Sequence, residues 1–150
     1  MSGKRLISMR RLGDGKIAVT TPSPKGRIQV AVCKAGVTAE QVAGAFHGWI
    51  PPAAEPSAWR RRRAAIRDRL IECALLEPVL QDRLRREREA AGLTQGQVAQ
   101  AVGCAQTYIT ALENGRRDPL ATATATATAA EEFIGQLAKA IGCEPSALLG

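Results

Sequence analysis

Aromatic residues make up only 3% of this 150-residue chain, and there is a single histidine, His47. A core must therefore be assembled from Ala, Leu, Val and Ile, which the 45% hydrophobic content supplies. The four cysteines, Cys33, Cys73, Cys104 and Cys143, include no CxxC pair. Structural zinc takes four donors at short paired spacings, so neither a metal nor another cofactor is expected. Isolated cysteines of this kind behave as small buried hydrophobes. No run reaches the roughly 18 apolar residues of a membrane span, so no membrane partner is expected. The opening MSGKRLISMRRLGDG is too broken for a secretory signal, which points to a cytoplasmic protein. Catalysis needs a nucleophile–base pair or a metal set. One histidine with scattered acids gives neither, so the chain reads as a non-enzyme.

Positive charge is abundant, and it is unevenly placed. Residues 1–78 hold 14 basic and 6 acidic side chains, a net +8, whereas residues 79–150 hold 7 and 8, a net −1. A basic balance favours an anionic partner, nucleic acid first. The same division separates two patterns. Residues 6–33 alternate as strands: LISMRRL ends at Gly13-Asp14-Gly15, KIAVTT follows, PSPKG makes a second turn, and RIQVAVC places Ile28, Val30 and Val32 on one face. Thr38 with Gln41 forms a capping box for a short helix reaching His47 or Gly48. His47 and Trp49 beside Pro51 and Pro52 read as a surface histidine and a packing tryptophan. In AWRRRRAAIRDRLIECALL a stripe runs through Trp59, Ile66, Leu70 and Cys73 to Leu76 or Ala74, with the arginines mostly off it.

After Val79 the periodicity is helical throughout. VLQDRLRREREAAG, TQGQVAQAVG and AQTYITALENG each end in glycine, suited to a left-handed cap. TAAEEFIGQLAKAIG carries its own capping pair, Thr128 with Glu131, and an inward stripe of Phe133, Ile134, Leu137 and Ile141. An alternating Ala/Thr insertion at about 120–128 reads as a loop leading into that helix. Two short helices meet around VGCA: Val98, Ala99, Val102, Ile109 and Leu112 face inward, and Gly103 permits the sharp turn. This is a helix-turn-helix layout. The expected fold class is α+β: a small N-terminal three-stranded antiparallel sheet with helices (residues 1–78), then an all-α helix-turn-helix domain (residues 79–150).

The stretch LRREREAAGLTQGQVAQAVGCAQTYITALENGRRDP resembles the phage-repressor and xenobiotic-response-element (Cro/C1-type) helix-turn-helix family. FIGQLAKAIGCEPSALL is similar to the closing helices of the same domain. The family often has a serine where this chain has Ala105, so the N-cap bond of the second helix is absent, at a cost of about 1 kcal/mol. The resemblance implies double-stranded DNA as partner, a homodimer, and a glutamine, here Gln95, that touches a phosphate and braces a second glutamine, here Gln106, that reads a base. A glutamine amide pairs a donor with an acceptor and so matches adenine N6 and N7. Gln106, Thr107, Thr110 and Tyr108 are the candidate base readers. Asn114, Arg116 and Arg117 are candidate phosphate contacts. Arg60, Arg61, Arg62, Arg63 and Arg67 offer a second set, toward phosphate or a protein partner.

The leading expectation is a sequence-specific transcriptional repressor of phage, plasmid or other mobile-element origin, binding an inverted-repeat operator. The alternative is an antitoxin-like or inhibitory protein. Residues 1–78 would then bind another protein, while the helix-turn-helix autoregulates the operon. Leu148 and Leu149, or the edge of the sheet, are the candidate dimer contacts.

Overall fold

The computed structural model describes residues 6–52, 55–119 and 127–150. The fold is α+β, and the chain divides into two compact units, Met1–Glu77 and Pro78–Gly150. Each has its own core.

The first unit opens with an antiparallel sheet in the order β1-β2-β3, made of Ser8–Arg11, Ile17–Ser23 and Gly26–Val32. The register slips between Val19 and Thr20, a bulge that leaves Val30 as the extra residue on β3. The expected face of Ile28, Val30 and Val32 is therefore broken. Val30 and Ala31 are both buried, whereas Ile28 and Val32 are only half-buried. Nor does the chain turn at Pro22. β2 continues through it to Ser23, pairing Pro22 with Arg27, and only Pro24 and Lys25 make the turn. Proline is tolerated there because β1 pairs with β2 no further along than Thr20. The missing N–H points to the side that β1 has already left.

Helix α1, Ala39–Ala45, starts at the expected capping box. Gln41 N–H donates to Thr38 Oγ1 at 3.2 Å, and Thr38 N–H donates to Gln41 Oε1 at 2.9 Å. Trp49 packs edge-on against Phe46 at 5.2 Å, with His47 exposed. After a 3-10 turn, Pro56–Ala58, α2 spans Trp59–Glu72. It stops earlier than the stripe to Leu76 suggests, and Ala74 takes a left-handed φ of 59°. Ile66 and Leu70 are fully buried against Ile17, Val19 and Val42.

Two arginines of α2 depart from expectation. Arg62 stands one turn before Ile66 and two before Leu70, on the buried face, and its exposure is 0%. Its Nε donates to Thr21 Oγ1 at 2.8 Å, Nη1 to the Glu55 carbonyl at 2.9 Å, and Nη2 to the Pro22 carbonyl. Arg67, also buried, donates to the Val30 carbonyl at 2.8 Å. Neither guanidinium is presented to a phosphate or a protein partner. Burial pulls the Arg62 pKa below the usual arginine value, with Glu55 opposing and Arg27 adding to the shift. Arg60 and Arg61 are exposed and Arg63 is half-buried, with Arg60 lying 5.0 Å over the Trp59 ring.

The second unit holds α3 (Leu80–Ala90), α4 (Gln95–Val102), α5 (Gln106–Glu113), α6 (Ala127–Ile141) and α7 (Pro145–Leu149). Its core joins Leu80, Leu84, Val98, Ile109, Leu112, Ile134 and Leu137. The Ala/Thr insertion at about 120–128 lies mostly outside the described residues. Because α6 is already helical at Ala127, Thr128 sits inside the helix and not at its cap. Leu148 is fully buried in this core and is no dimer contact, while Leu149 stays 41% exposed. The thiols of Cys33, Cys104 and Cys143 are pushed up by burial, which disfavours the reactive thiolate.

Candidate nucleic-acid interface

Helix α4 begins at a second capping box, in which Gln97 N–H donates to Thr94 Oγ1 at 3.1 Å and Thr94 N–H to Gln97 Oε1 at 2.8 Å. It ends at Gly103, whose φ of 84° is left-handed. A side chain there would be strained whatever its size. The chain re-enters helix at Ala105, the N-cap of α5, which makes no side-chain capping bond. Val98, Ala99, Ile109 and Leu112 are buried between the two helices, as the pattern predicts. Burying them on one face leaves Gln106 and Thr107 exposed on the other.

The polar residues behind this surface form one network. Arg88 on α3 makes a two-point ion pair with Glu113 at the end of α5, Nε to Oε2 at 2.7 Å and Nη2 to Oε1 at 2.8 Å. Only 3% of the Glu113 side chain and 12% of the Arg88 side chain are exposed, so solvent screens the pair little. Hydrogen bonding to Glu113 raises the Arg88 pKa above its ordinary value, against the opposing pull of burial. Arg88 Nη1 also donates to the Leu93 carbonyl at 2.8 Å, tying down the approach to α4. On the other side of the carboxylate, Gln95 Nε2 donates to Glu113 Oε1 at 3.1 Å. Thr110 Oγ1 then donates to Gln95 Oε1 at 2.8 Å.

Two expected roles change in consequence. The Gln95 amide, expected to brace Gln106, is bonded instead to Glu113 at one end and Thr110 at the other. With both ends assigned, the amide has a fixed orientation, and one Nε2–H is left over. Thr110 gives its hydroxyl proton to Gln95, so it is not available as a donor to a base. Tyr108 is also turned to other use: its half-buried ring meets Phe133 edge-on at 5.5 Å. Gln106 lies over the start of α4, with Oε1 3.3 Å from where a Cβ on Gly96 would stand. Gly96 makes room for it. Past α5, Arg116 and Arg117 are exposed. Asn114 is half-buried and its Nδ2 has no hydrogen-bond partner.

The Arg88–Glu113 pair is not among the features expected from sequence. Its signal lies in α5: Ile109, Leu112 and Glu113 are spaced i, i+3, i+4, so the glutamate continues an apolar stripe. A carboxylate in that register needs a buried cation.

A sequence model of the helix-turn-helix domain family matches residues 80–148. Among solved structures, the restriction-modification controller protein C.AhdI from Aeromonas hydrophila is similar to this chain at 30% identity. That match covers 47% of this chain and 91% of C.AhdI, with a TM-score of 0.37. No curated protein matches the chain. Residues 80–148 of the chain thus form a domain of the helix-turn-helix family.

Proposed function

We propose that the protein is a sequence-specific DNA-binding transcriptional regulator acting in the cytoplasm, a repressor that occupies an inverted-repeat operator of a phage, plasmid or other mobile element. The observation that carries this reading is the pairing of exposed and fixed glutamines. Gln106 and Thr107 stand free at the leading turn of α5, while Gln95 is locked by two partners. In the major groove Gln106 reads a base edge, with Thr107 beside it. Gln95, Asn114, Arg116 and Arg117 hold phosphates and set the register.

Gln106→Ala is expected to relax preference at one half-site position and cost roughly 1–3 kcal/mol for a bidentate contact. Arg116→Ala should weaken matched and mismatched sites alike. Titration of both site types across a salt series separates the two effects. Equal losses on both sites for Gln106→Ala would remove its base-reading role.

A single short helix touches too few base pairs to select a site, so the protein acts as a two-fold dimer on half-sites roughly 34 Å apart. Sedimentation should show two copies per inverted repeat; one copy bound at saturation would refute the dimer. The antitoxin-like reading draws support from a different observation. Residues ahead of the reading domain pack round their own core, with Arg60 and Arg61 exposed for an acidic protein. A protein partner that stays bound through high salt would favour it.

A further inference from the structure

The sheet of the first unit has one face in its core and one face outside it. Cross-strand register puts Met9, Ile17, Val19 and Ala31 toward α1 and α2, and Ile17, Val19 and Ala31 are all core members. The same register sends Ser8, Arg10, Thr20, Arg27 and Gln29 to the opposite face, and alternation carries it on to Lys16, the residue before β2. Ala18, Pro22 and Val32 also belong to that face; Ala18 and Pro22 are buried there and Val32 is half-buried. Arg10, Arg27 and Gln29 are exposed.

We infer that this outer sheet face is a second DNA-binding surface, in the same chain as the helix-turn-helix. Three observations select duplex DNA as its occupant. First, the face carries three cations and three uncharged hydrogen-bonding side chains. Asp14 lies 3.9 Å from Lys16 at one end of it. Second, it offers no exposed large apolar anchor of the kind that forms the centre of a protein–protein interface, and it matches the more polar, positive make-up of protein–DNA contacts. Third, β2 and β3 run seven residues each and continue past the end of β1 as a two-stranded ribbon, Thr21 to Ser23 against Gly26 to Ile28, a width that the major groove admits.

The ribbon is also held in shape. Arg27 Nε donates to Thr20 Oγ1 at 3.1 Å and its Nη2 to the Thr20 carbonyl at 3.2 Å, which fixes the guanidinium across both strands. A reading domain of net −1 gains most from such a surface. Phosphate neutralisation dominates DNA affinity, and a tethered second contact raises the effective concentration of the first.

The test uses the full chain, a labelled random-sequence duplex of about 30 base pairs, and a salt titration. R10Q/R27Q should lower the slope of log K against log salt by about 1.8, or about 0.9 for each phosphate no longer neutralised. R10K/R27K, which keeps the charge, should retain most of the slope. Since Arg27 also braces the ribbon, Arg10→Gln alone supplies the decisive case if the double variant fails to fold, with an expected drop of about 0.9. An unchanged slope in a folded Arg10→Gln or double variant overturns the inference, including when the protein instead captures an acidic protein. The proposed base-reading role is tested independently by Gln106→Ala, which should relax preference at one half-site position while leaving the contribution of the sheet to the salt slope intact.

Discussion

Replacing Glu113 by alanine should destabilise the second unit by about 3–5 kcal/mol, the usual consequence of stranding one charge of a buried pair. Arg88 would keep one hydrogen-bond acceptor, the Leu93 carbonyl, in place of three, with Glu89 at 3.8 Å as its remaining carboxylate. Gln95 would lose the partner of its Nε2 at the same time. The double replacement Arg88→Met with Glu113→Leu should recover most of this stability, because two apolar side chains of similar volume often substitute for a buried ion pair at little cost. Recovery of folding would not restore DNA recognition, since Gln95 would still lack its carboxylate brace. Amide exchange in α3, α4 and α5 under increasing urea measures the stability, and a matched duplex measures the binding. A single Glu113→Ala variant within about 1 kcal/mol of the parent would show that the pair does not anchor the unit.

Arg62 should also be costly to lose. Arg62→Met keeps the length of the side chain and removes every donor, leaving Thr21 Oγ1 and the carbonyls of Pro22 and Glu55 without it. The Glu55 carbonyl keeps the Ala58 N–H and the Thr21 hydroxyl keeps the Leu6 carbonyl, so the Pro22 carbonyl bears most of the loss; a buried acceptor left unsatisfied costs about 1–3 kcal/mol, the loss expected for the first unit. Lysine should rescue little, because a single ammonium cannot reach three acceptors that a planar fork spans. The neighbouring exposed Arg61→Met should stay within about 0.5 kcal/mol of the parent. Both tryptophans, Trp49 and Trp59, lie in the first unit, so their fluorescence during urea unfolding reports it selectively. Equal stability for Arg62→Met and Arg61→Met would show that Arg62 is a surface cation after all.

The features legible in the sequence are those whose causes lie within a few residues of one another. The capping box at Thr38 joins a side chain to a backbone group three residues on, and it is present in the fold. The inward positions of Val98, Ala99, Ile109 and Leu112 follow from helical period and a glycine turn. What the sequence hides depends on distant partners. Arg62 finds its acceptors 40 and 41 residues back in β2, and nothing in RRRR marks which arginine will face them. Arg88 meets Glu113 across 25 residues. The bulge between Val19 and Thr20 turns Ala31 inward because of how two strands register, which neither strand specifies alone. In the interface, spacing places Gln95 and Gln106 at the openings of the two helices. Which side chain each holds depends on Thr110, one turn deeper, whose hydroxyl takes the Gln95 amide.

Helix α5 divides its labour by position, and that division bears on how the protein can evolve. Ile109, Leu112 and Glu113 hold the helix in the fold, and Thr110 holds Gln95. Gln106 and Thr107 stand in solvent at its first turn, where ordinary substitutions shift stability by no more than about 0.5 kcal/mol. A lineage can therefore exchange these two side chains, and with them the preferred operator, while folding proceeds unchanged. Gly96 narrows that freedom only slightly, because a Cβ there would stand 3.3 Å from the end of Gln106, a flexible exposed side chain that can move aside. Diverging copies of such a gene can acquire separate targets by substitution at a pair of positions, without first passing through a destabilised intermediate.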